Sequence, residues 1–334
     1  MAIAVEERPV FDVLIVGGGC AGLAAAMYAG RFELKTLVVS EMIGGTITLT
    51  DVVENYPGFK SISGYDLAKN LENHAREYPS VQFEDGRVTA VAKCAEHAHD
   101  GAGCWKAVVQ GGKEFHAKTL VFATGTEWKK LGVPGEKEFA NRGVHYCALC
   151  DGAFYAGKVL AVVGGSDTAV KDAVLLTQWA KKVFVIYRGE KVRAEPITVK
   201  RLQQSPMIEV LNKANVLEIR GAVSGNVKFA RASSVLLDRD YAGCRELAVD
   251  GVFVAIGHNV LSSLAVGLGV KANAKGEIIV DRHGRTNVPS VFAAGDVVDT
   301  EFKQAITGAS EGVLAAYSAY QYVNDAKQKG AVKA

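Results

Sequence analysis

The chain lacks any run of basic residues. Its 334 residues carry a formal net charge of only +2, so neither nucleic acid nor a charged membrane surface is an expected partner. It also lacks a convincing transmembrane span. The nearest approach, Phe11 to Gly30, contains Asp12 and five glycines and reads as strand, turn and helix instead. The first ten residues, MAIAVEERPV, place acids where a secretory leader would carry a basic region and then an apolar core. A cytoplasmic location is therefore expected. Cysteine is scarce. Six in a chain this long do not make a disulfide framework, and a lone CxxC in such a context reads as redox-active rather than structural.

What is present is enough chain for about two domains, at roughly 100 to 200 residues each, with a hydrophobic content of 49% to fill two cores. The centre of the reading is His145-Tyr146-Cys147-Ala148-Leu149-Cys150-Asp151-Gly152. Cysteines two residues apart can close a small disulfide ring, and each thiol can stabilise its neighbour's thiolate, so the pair cycles between dithiol and disulfide. Asp151 stands where a carboxylate can move protons to and from a departing sulfur. His145 reads either as a tuner of the thiolates or as a packed loop residue.

Glycine turns flank this stretch on both sides. Phe11 to Val16 is an apolar run that reads as a buried parallel strand. The GxGxxG turn Gly17-Gly18-Gly19-Cys20-Ala21-Gly22 follows, then an Ala-rich helix from Leu23 to Gly30. A second strand, Thr36 to Ser40, is closed by Glu41. Strand, turn, helix and acid in this register form a dinucleotide-binding unit. The glycines bring backbone up to a pyrophosphate, the helix N-terminus holds its charge, and the acid accepts a ribose hydroxyl. The pattern repeats as Val159 to Val163, then Gly164-Gly165-Ser166-Asp167-Thr168-Ala169, a helix to Trp179, and a strand Val183 to Tyr187. A repeated unit means two dinucleotide sites. Arg188 and Arg193 follow the second unit's strand where the first has Glu41. Guanidinium there suits a 2′-phosphate, which points to NADPH.

Elsewhere, Tyr65 to Glu77 reads as an amphipathic helix. Val81 to Ala123 reads as hairpins, with turns at residues 100–103 and at Gly111-Gly112. Cys94, His97, His99 and Cys104 fall in one of these hairpins. Their spacing matches no zinc module, so a solvated Gly-rich tip is the reading and no metal site is expected. Ala305 to Val323 reads as a final amphipathic helix.

The segments GGGCAG, GGTIT, ENYPGF, ATGTEWKKLGVPGE, CALCDG, VVGGSDTAV, RAE, FVAIGH and VFAAGDVVDTEFKQAITGASEG span residues 17 to 312. In that order the chain resembles the low-molecular-weight thioredoxin reductases, which are FAD-dependent pyridine nucleotide–disulfide oxidoreductases. The resemblance implies an α/β fold of two Rossmann-like, three-layer ββα domains, the second inserted into the first. Residues 1–125 and 256–334 would form the FAD domain, and residues 126–255 the NAD(P)H domain carrying the CxxC. FAD would meet Gly17, Gly19, Cys20, Ala21, Gly22 and Glu41 at its ADP half, with Gly45, Thr46, Thr124 and Gly125 beside them. Asn55 would lie near the flavin, Gly295 and Asp296 at the ribityl–pyrophosphate side, and Lys303, Gln304 and Ala305 by the isoalloxazine ring. NADPH would lie along Gly164, Gly165, Ser166, Asp167, Thr168 and Ala169, with Tyr187, Arg188 and Arg193. Cys150 would face the flavin, Cys147 would attack the disulfide of thioredoxin or a similar protein, and Asp151 would be the acid. The resemblance also implies a homodimer, and a rotation of one domain against the other at the crossings near Thr124–Thr126 and Ala255–Gly257.

The chain departs from that family at points that bear on the electron donor. Ser166 replaces a glycine, and Arg188-Gly189 replaces paired arginines. Lys303 and Lys129 stand for arginines, the redox motif is CALC rather than CATC, and no proline follows His258. NADH and reduced ferredoxin therefore stand beside NADPH as donors. The same scaffold also serves a flavin-dependent dithiol oxidase running in reverse. A zinc-holding binding module is disfavoured, because only one CxxC exists and no second ligand pair sits at zinc spacing.

Overall fold

Near-continuous apolar strands need cover on both faces, and helices supply it. The computed structural model describes residues 10–50, 53–94, 103–222 and 230–331. These fall into two units, one running to Thr126 and resuming at Val260, the other spanning Glu127–Asn259.

In the first unit, β1 (Val10–Val16) is buried along most of its length. It leads through the glycine turn into α1 (Cys20–Arg31) and β2 (Thr36–Ser40). Buried Ala25, Ala26 and Ala29 of α1 keep that helix close to its neighbours. Enlarging one of them would overpack the contact by ~1–3 kcal/mol. Helix α2 (Gly64–Arg76) starts at Ser63, whose hydroxyl accepts the Asp66 N–H at 3.0 Å. A cap of this kind contributes about 1 kcal/mol. Strand β3 (Val81–Asp85) then pairs parallel with β2. It is not part of a hairpin, contrary to the sequence expectation, because buried Val81 packs with α1 and completes a crossover. Antiparallel pairing is confined to β4 (Val88–Lys93), β5 (Trp105–Val109) and β6 (Glu114–Phe122). His97, His99 and most of the turn at 100–103 lie outside the described residues.

Strand β7 (Thr126–Trp128) carries the chain into the second unit. There β8 (Val144–His145), the short helix α3 (Ala148–Asp151), β9 (Val159–Val163), α4 (Asp167–Leu176), β10 (Lys182–Tyr187), α5 (Pro196–Gln204) and β11 (Ile208–Asn212) follow. The antiparallel strands β12 (Val216–Ala222), β13 (Arg231–Tyr241) and β14 (Cys244–Ala248) form their own sheet, and β15 (Gly251–Val254) completes a parallel sheet in the order β11-β10-β9-β15-β8. The return strand β16 (His258–Val260) pairs with β7. The divide between units falls after Thr126 and after Asn259, beside the expected boundaries after residues 125 and 255.

Back in the first unit come α6 (Ser263–Val266), β17 (Val291–Ala293) and α7 (Ala305–Ala331). Strand β17 pairs parallel with the second half of β6, opposite β1, while β5 takes up the first half. The result is a parallel sheet, β3-β2-β1-β6-β17, with an antiparallel meander branching from β6. Ala315, Ala316 and Ala319 of α7 pack in the same cluster as the α1 alanines. No helix among the described residues is long and apolar enough to cross a membrane.

Candidate active site

The redox pair is set by the edge strand β8. Val144 pairs with Val252 and His145 with Phe253, so the chain enters the CxxC from a fixed register. Cys147 and Cys150 are joined in a disulfide, with Cα atoms 5.3 Å apart. Cys147 is the N-cap of α3, and its Sγ accepts the Cys150 backbone N–H at 3.1 Å. A donor aimed at that sulfur favours its thiolate once the disulfide opens.

Behind the pair lies a small buried constellation. The His145 ring is stacked on Phe253 at 5.4 Å and meets Tyr155 edge-on at 5.4 Å. Its Nε2 is 2.8 Å from the Tyr155 hydroxyl, and its Nδ1 is 3.1 Å from Asp151 Oδ2. The Nδ1 contact is close enough for an ion pair but too poorly angled for a full hydrogen bond. Burial lowers the His145 pKa, and the Asp151 charge only partly opposes it. A neutral ring protonated on Nδ1 faces the carboxylate and leaves Nε2 to accept from Tyr155. Beside this group, buried Glu136 accepts the backbone N–H groups of Leu131 and Gly132 and the Tyr146 hydroxyl, at 2.7–2.8 Å. Lys130 Nζ lies 3.4 Å from the Tyr146 ring centroid.

The two glycine turns are built alike. Gly17 has φ +109°, and a Cβ there would stand 2.3 Å from the Ala123 carbonyl oxygen. Gly164 has φ +145°, with the Ala255 carbonyl oxygen at 2.1 Å in the same role. Only glycine fits either place. Gly19 and Ser166 are the N-caps of α1 and α4 in matching extended conformations, and neither helix is capped by a side chain. The first backbone N–H groups of both helices are thus left for an anion, the arrangement a pyrophosphate needs. A Cβ at Gly19 would meet nothing closer than 3.9 Å, so the extra atoms of Ser166 stand on the open side of its turn without strain.

Around the first turn, a backbone bridge joins Gly19 to Gly44, and a Cβ on Gly45 would lie 3.0 Å from the Gly19 Cα. Thr46 follows in a 3₁₀ turn. The Cys20 thiol is pushed up to about 11 by burial and by the charge of Asp296, so Cys20, the fourth residue of the motif, and Asp296 converge. Asn55 Nδ2 donates to Gln304 Oε1 at 2.9 Å, joining two residues 249 positions apart that the sequence assigned to one cofactor. Ala305 opens α7 beside them. Thr124 donates to the Leu261 carbonyl at 2.6 Å, and the Gly125 carbonyl accepts the Leu261 N–H at 3.0 Å. Glu41 keeps one oxygen on Arg87, 2.9 Å away. Lys303 is committed inside the protein: its ammonium donates to the Asp296 and Val298 carbonyls at 2.7 Å and pairs with Glu277 at 2.9 Å. It anchors the Asp296 loop.

Around the second turn, Arg188 and Arg193 are exposed, and the Arg193 backbone N–H donates to the Gly165 carbonyl at 2.6 Å. The Tyr187 ring lies over the turn. A Cβ on Gly165 would fall 2.4 Å from it, and one on Gly189 2.6 Å. Asp167 is engaged internally by Lys171 at 2.6 Å and by the Glu195 N–H at 3.0 Å. Burial raises its pKa, but these hydrogen bonds and that of Thr198 outweigh burial and hold the carboxyl below its ordinary range. Thr168 is exposed and Ala169 buried against the turn.

Several supporting residues escaped the sequence reading. Glu311 Oε2 accepts the Gly295 N–H at 2.8 Å and its other oxygen takes the Thr300 hydroxyl. Arg87, Glu136 and Tyr155 play comparable parts. The signal for Glu311 was its place in the final helix, with a carboxylate one side of an otherwise small-residue stretch.

Residues 11–312 match the pyridine nucleotide-disulphide oxidoreductase family. The thioredoxin reductase of Bacillus subtilis (strain 168) is 38% identical over 327 residues, covering 97% of this chain and 98% of that one. That of Treponema pallidum (strain Nichols) is 38% identical over 317 residues, covering 94% and 97%. Among solved structures, the Lactococcus lactis thioredoxin reductase in its FR conformation superposes with a TM-score of 0.85 at 35% identity, covering 94% of this chain and 99% of that one. The T. acidophilum thioredoxin reductase gives 0.83 at 33% identity, covering 93% and 98%. Since the family match runs from β1 into α7 and takes in both glycine turns and the disulfide between them, the chain belongs to the pyridine nucleotide-disulphide oxidoreductase family and is an oxidoreductase.

Proposed function

We propose that this chain is a thioredoxin-disulfide reductase that passes electrons from NADPH, by way of FAD and the Cys147–Cys150 disulfide, to thioredoxin or a similar small disulfide protein. The observation that carries the reading is that disulfide, held beside Asp151 on a dinucleotide-type unit. Family membership brings FAD and a nicotinamide cofactor. FAD, when bound, supplies the two-electron relay between nicotinamide and disulfide.

The residues of the first unit suited to FAD are Gly17, Gly19, Cys20, Ala21, Gly22 and Glu41 around the first turn, Gly45, Thr46, Thr124 and Gly125 flanking it, and Asn55, Gly295, Asp296, Gln304 and Ala305 at the far side. Lys303 serves that site by holding the Asp296 loop. NADPH is assigned to Gly164, Gly165, Ser166, Thr168 and Ala169, with Tyr187, Arg188 and Arg193, while Asp167 braces the turn. After reduction, the Cys147 thiolate attacks one sulfur of the partner disulfide. That S–S bond breaks and the partner's other sulfur leaves as a thiolate, which takes a proton from the Asp151 side. The Cys150 sulfur then attacks Cys147 Sγ, restores the internal disulfide and frees the second partner thiol. The Cys150 N–H on Cys147 Sγ supports Cys147 as the attacking sulfur. A homodimer and a cytoplasmic location complete the reading.

The test is anaerobic titration of the purified flavoprotein. NADPH should bleach the flavin, and oxidised thioredoxin should restore the colour. A protein bleached by a dithiol and recoloured only by oxygen would overturn the reductase reading in favour of an oxidase.

A further inference from the structure

We propose that Cys94, Cys104 and His116 form a zinc site on the antiparallel meander of the first unit. The site follows from strand register. Lys93 faces Trp105 and Ala92 faces Lys106 across β4 and β5. The next pair outward is Cys94 and Cys104, tied by the Cys94 N–H donating to the Cys104 carbonyl at 2.8 Å. Across β5 and β6, Lys106 faces His116. Side chains alternate along a strand, so Cys104 and Lys106 share a face of β5 and Cys104 is the diagonal neighbour of His116 on that face. Trp105, Ala107 and Ala117 take the opposite face into the core.

Three strands thus deliver three donors to one spot. The two Sγ atoms and an imidazole nitrogen all lie within 4.8 Å of one another. Cys104 is 5% exposed and His116 9%, and Cys94 is partly buried. Zinc bonds of ~2.3 Å to sulfur and ~2.0–2.1 Å to nitrogen place tetrahedral donors about 3.5–3.8 Å apart. Small side-chain rotations close the remaining gap. The donor set selects the metal: two thiolates and an imidazole suit zinc, whereas magnesium and calcium require oxygen ligands. The nearest cation on that face, Lys106, is paired with Glu114 at 2.9 Å, which limits its repulsion of a bound ion. Three protein donors leave a fourth position for water. Zinc here would staple the outer end of the meander, a role separate from the redox chemistry of the second unit. The spacing of Cys94 and Cys104 fits no zinc module because the third donor comes from the following strand.

The test is metal content of the flavin-loaded protein after incubation with zinc under mild reductant and desalting. Wild type should retain about one zinc per chain, and so should the Cys147→Ser/Cys150→Ser double variant. Cys94→Ser and His116→Gln should each retain at least ~10-fold less, with flavin content unchanged as evidence of folding. Cys94 is the least buried of the three, so its variant keeps the test valid should a buried substitution fail to fold. Cobalt(II) offers a second reading: tetrahedral ligand-field bands, at longer wavelength than flavin absorbs, should appear in wild type and vanish in Cys94→Ser. No zinc in wild type with both thiols free, a Cys94–Cys104 disulfide that excludes metal even after reductant, or zinc lost with Cys147 and Cys150 instead would each overturn the proposal.

Discussion

His145 Nδ1 lies 3.1 Å from Asp151 Oδ2 while its Nε2 lies 2.8 Å from the Tyr155 hydroxyl. The redox segment is therefore backed by a buried, neutral imidazole that braces the acid. Truncating it strands the buried Tyr155 hydroxyl, at about 1–3 kcal/mol. The pH dependence has a definite sign. The folded pKa of His145 lies below its ordinary 6.5, so its contribution is complete above that value. It is lost as pH falls below 6.5 toward the folded pKa, where the unfolded state gains a proton first. Thermal melts of wild type and His145→Gln should converge as pH falls from about 8 to about 5. A constant gap between the two across that range would show that His145 does not titrate on unfolding.

The thiol chemistry can be separated into halves. Cys147→Ser and Cys150→Ser should each abolish thioredoxin reduction while leaving flavin bleaching by the nicotinamide donor intact, because exchange needs both an attacking and a resolving sulfur. Asp151→Asn should be milder, slowing turnover ~10²-fold through impaired proton delivery. Full reductase activity in either serine variant would remove the pair from the relay.

Phe154 is 81% exposed, three residues beyond Asp151. An aromatic ring left in water next to a disulfide is a natural anchor for a protein partner. Phe154→Ala should raise KM for thioredoxin about tenfold, the effect of losing ~1.4 kcal/mol, with no change in the rate toward a small-molecule disulfide. Equal losses toward both acceptors would place Phe154 in the fold of the redox loop instead.

Much of this was legible in the sequence for local reasons. Strand, glycine turn and helix succeed one another within about 20 residues in each unit, so period and turn chemistry suffice to find them. The pairing of Asn55 with Gln304 was reachable only through resemblance, since 249 positions separate them. Where the reading fell short, the cause is long-range placement. The parallel partner of β3 is chosen by Val81 packing on α1, His116 meets Cys94 and Cys104 from one strand beyond them, and Lys303 turns inward because Glu277 and two carbonyls are waiting for it. None of these relations leaves a mark on nearby sequence.

The donor preference turns on Tyr187 and Gly189. Arg188 and Arg193 are exposed and available to a 2′-phosphate, so wild type should prefer NADPH. The preference should be weak, because one guanidinium is missing at position 189. A hydrogen bond to a charged group contributes ~1.5–3 kcal/mol, which corresponds to roughly ten- to a hundredfold in affinity. Restoring that arginine is not a free addition. A Cβ on Gly189 would fall 2.6 Å from the Tyr187 ring, which also covers Gly165. Gly189→Arg alone must displace the ring and should gain only part of the effect. Tyr187→Ala combined with Gly189→Arg clears the space and should raise the preference for NADPH over NADH by the full ten- to a hundredfold estimated above, because loss of the ring bears on both nucleotides alike. KM for both nucleotides in wild type, single and double variants measures this. A wild type that strongly prefers NADH would refute the arginine assignment. Oxidation of neither nucleotide would point to a different donor, such as reduced ferredoxin.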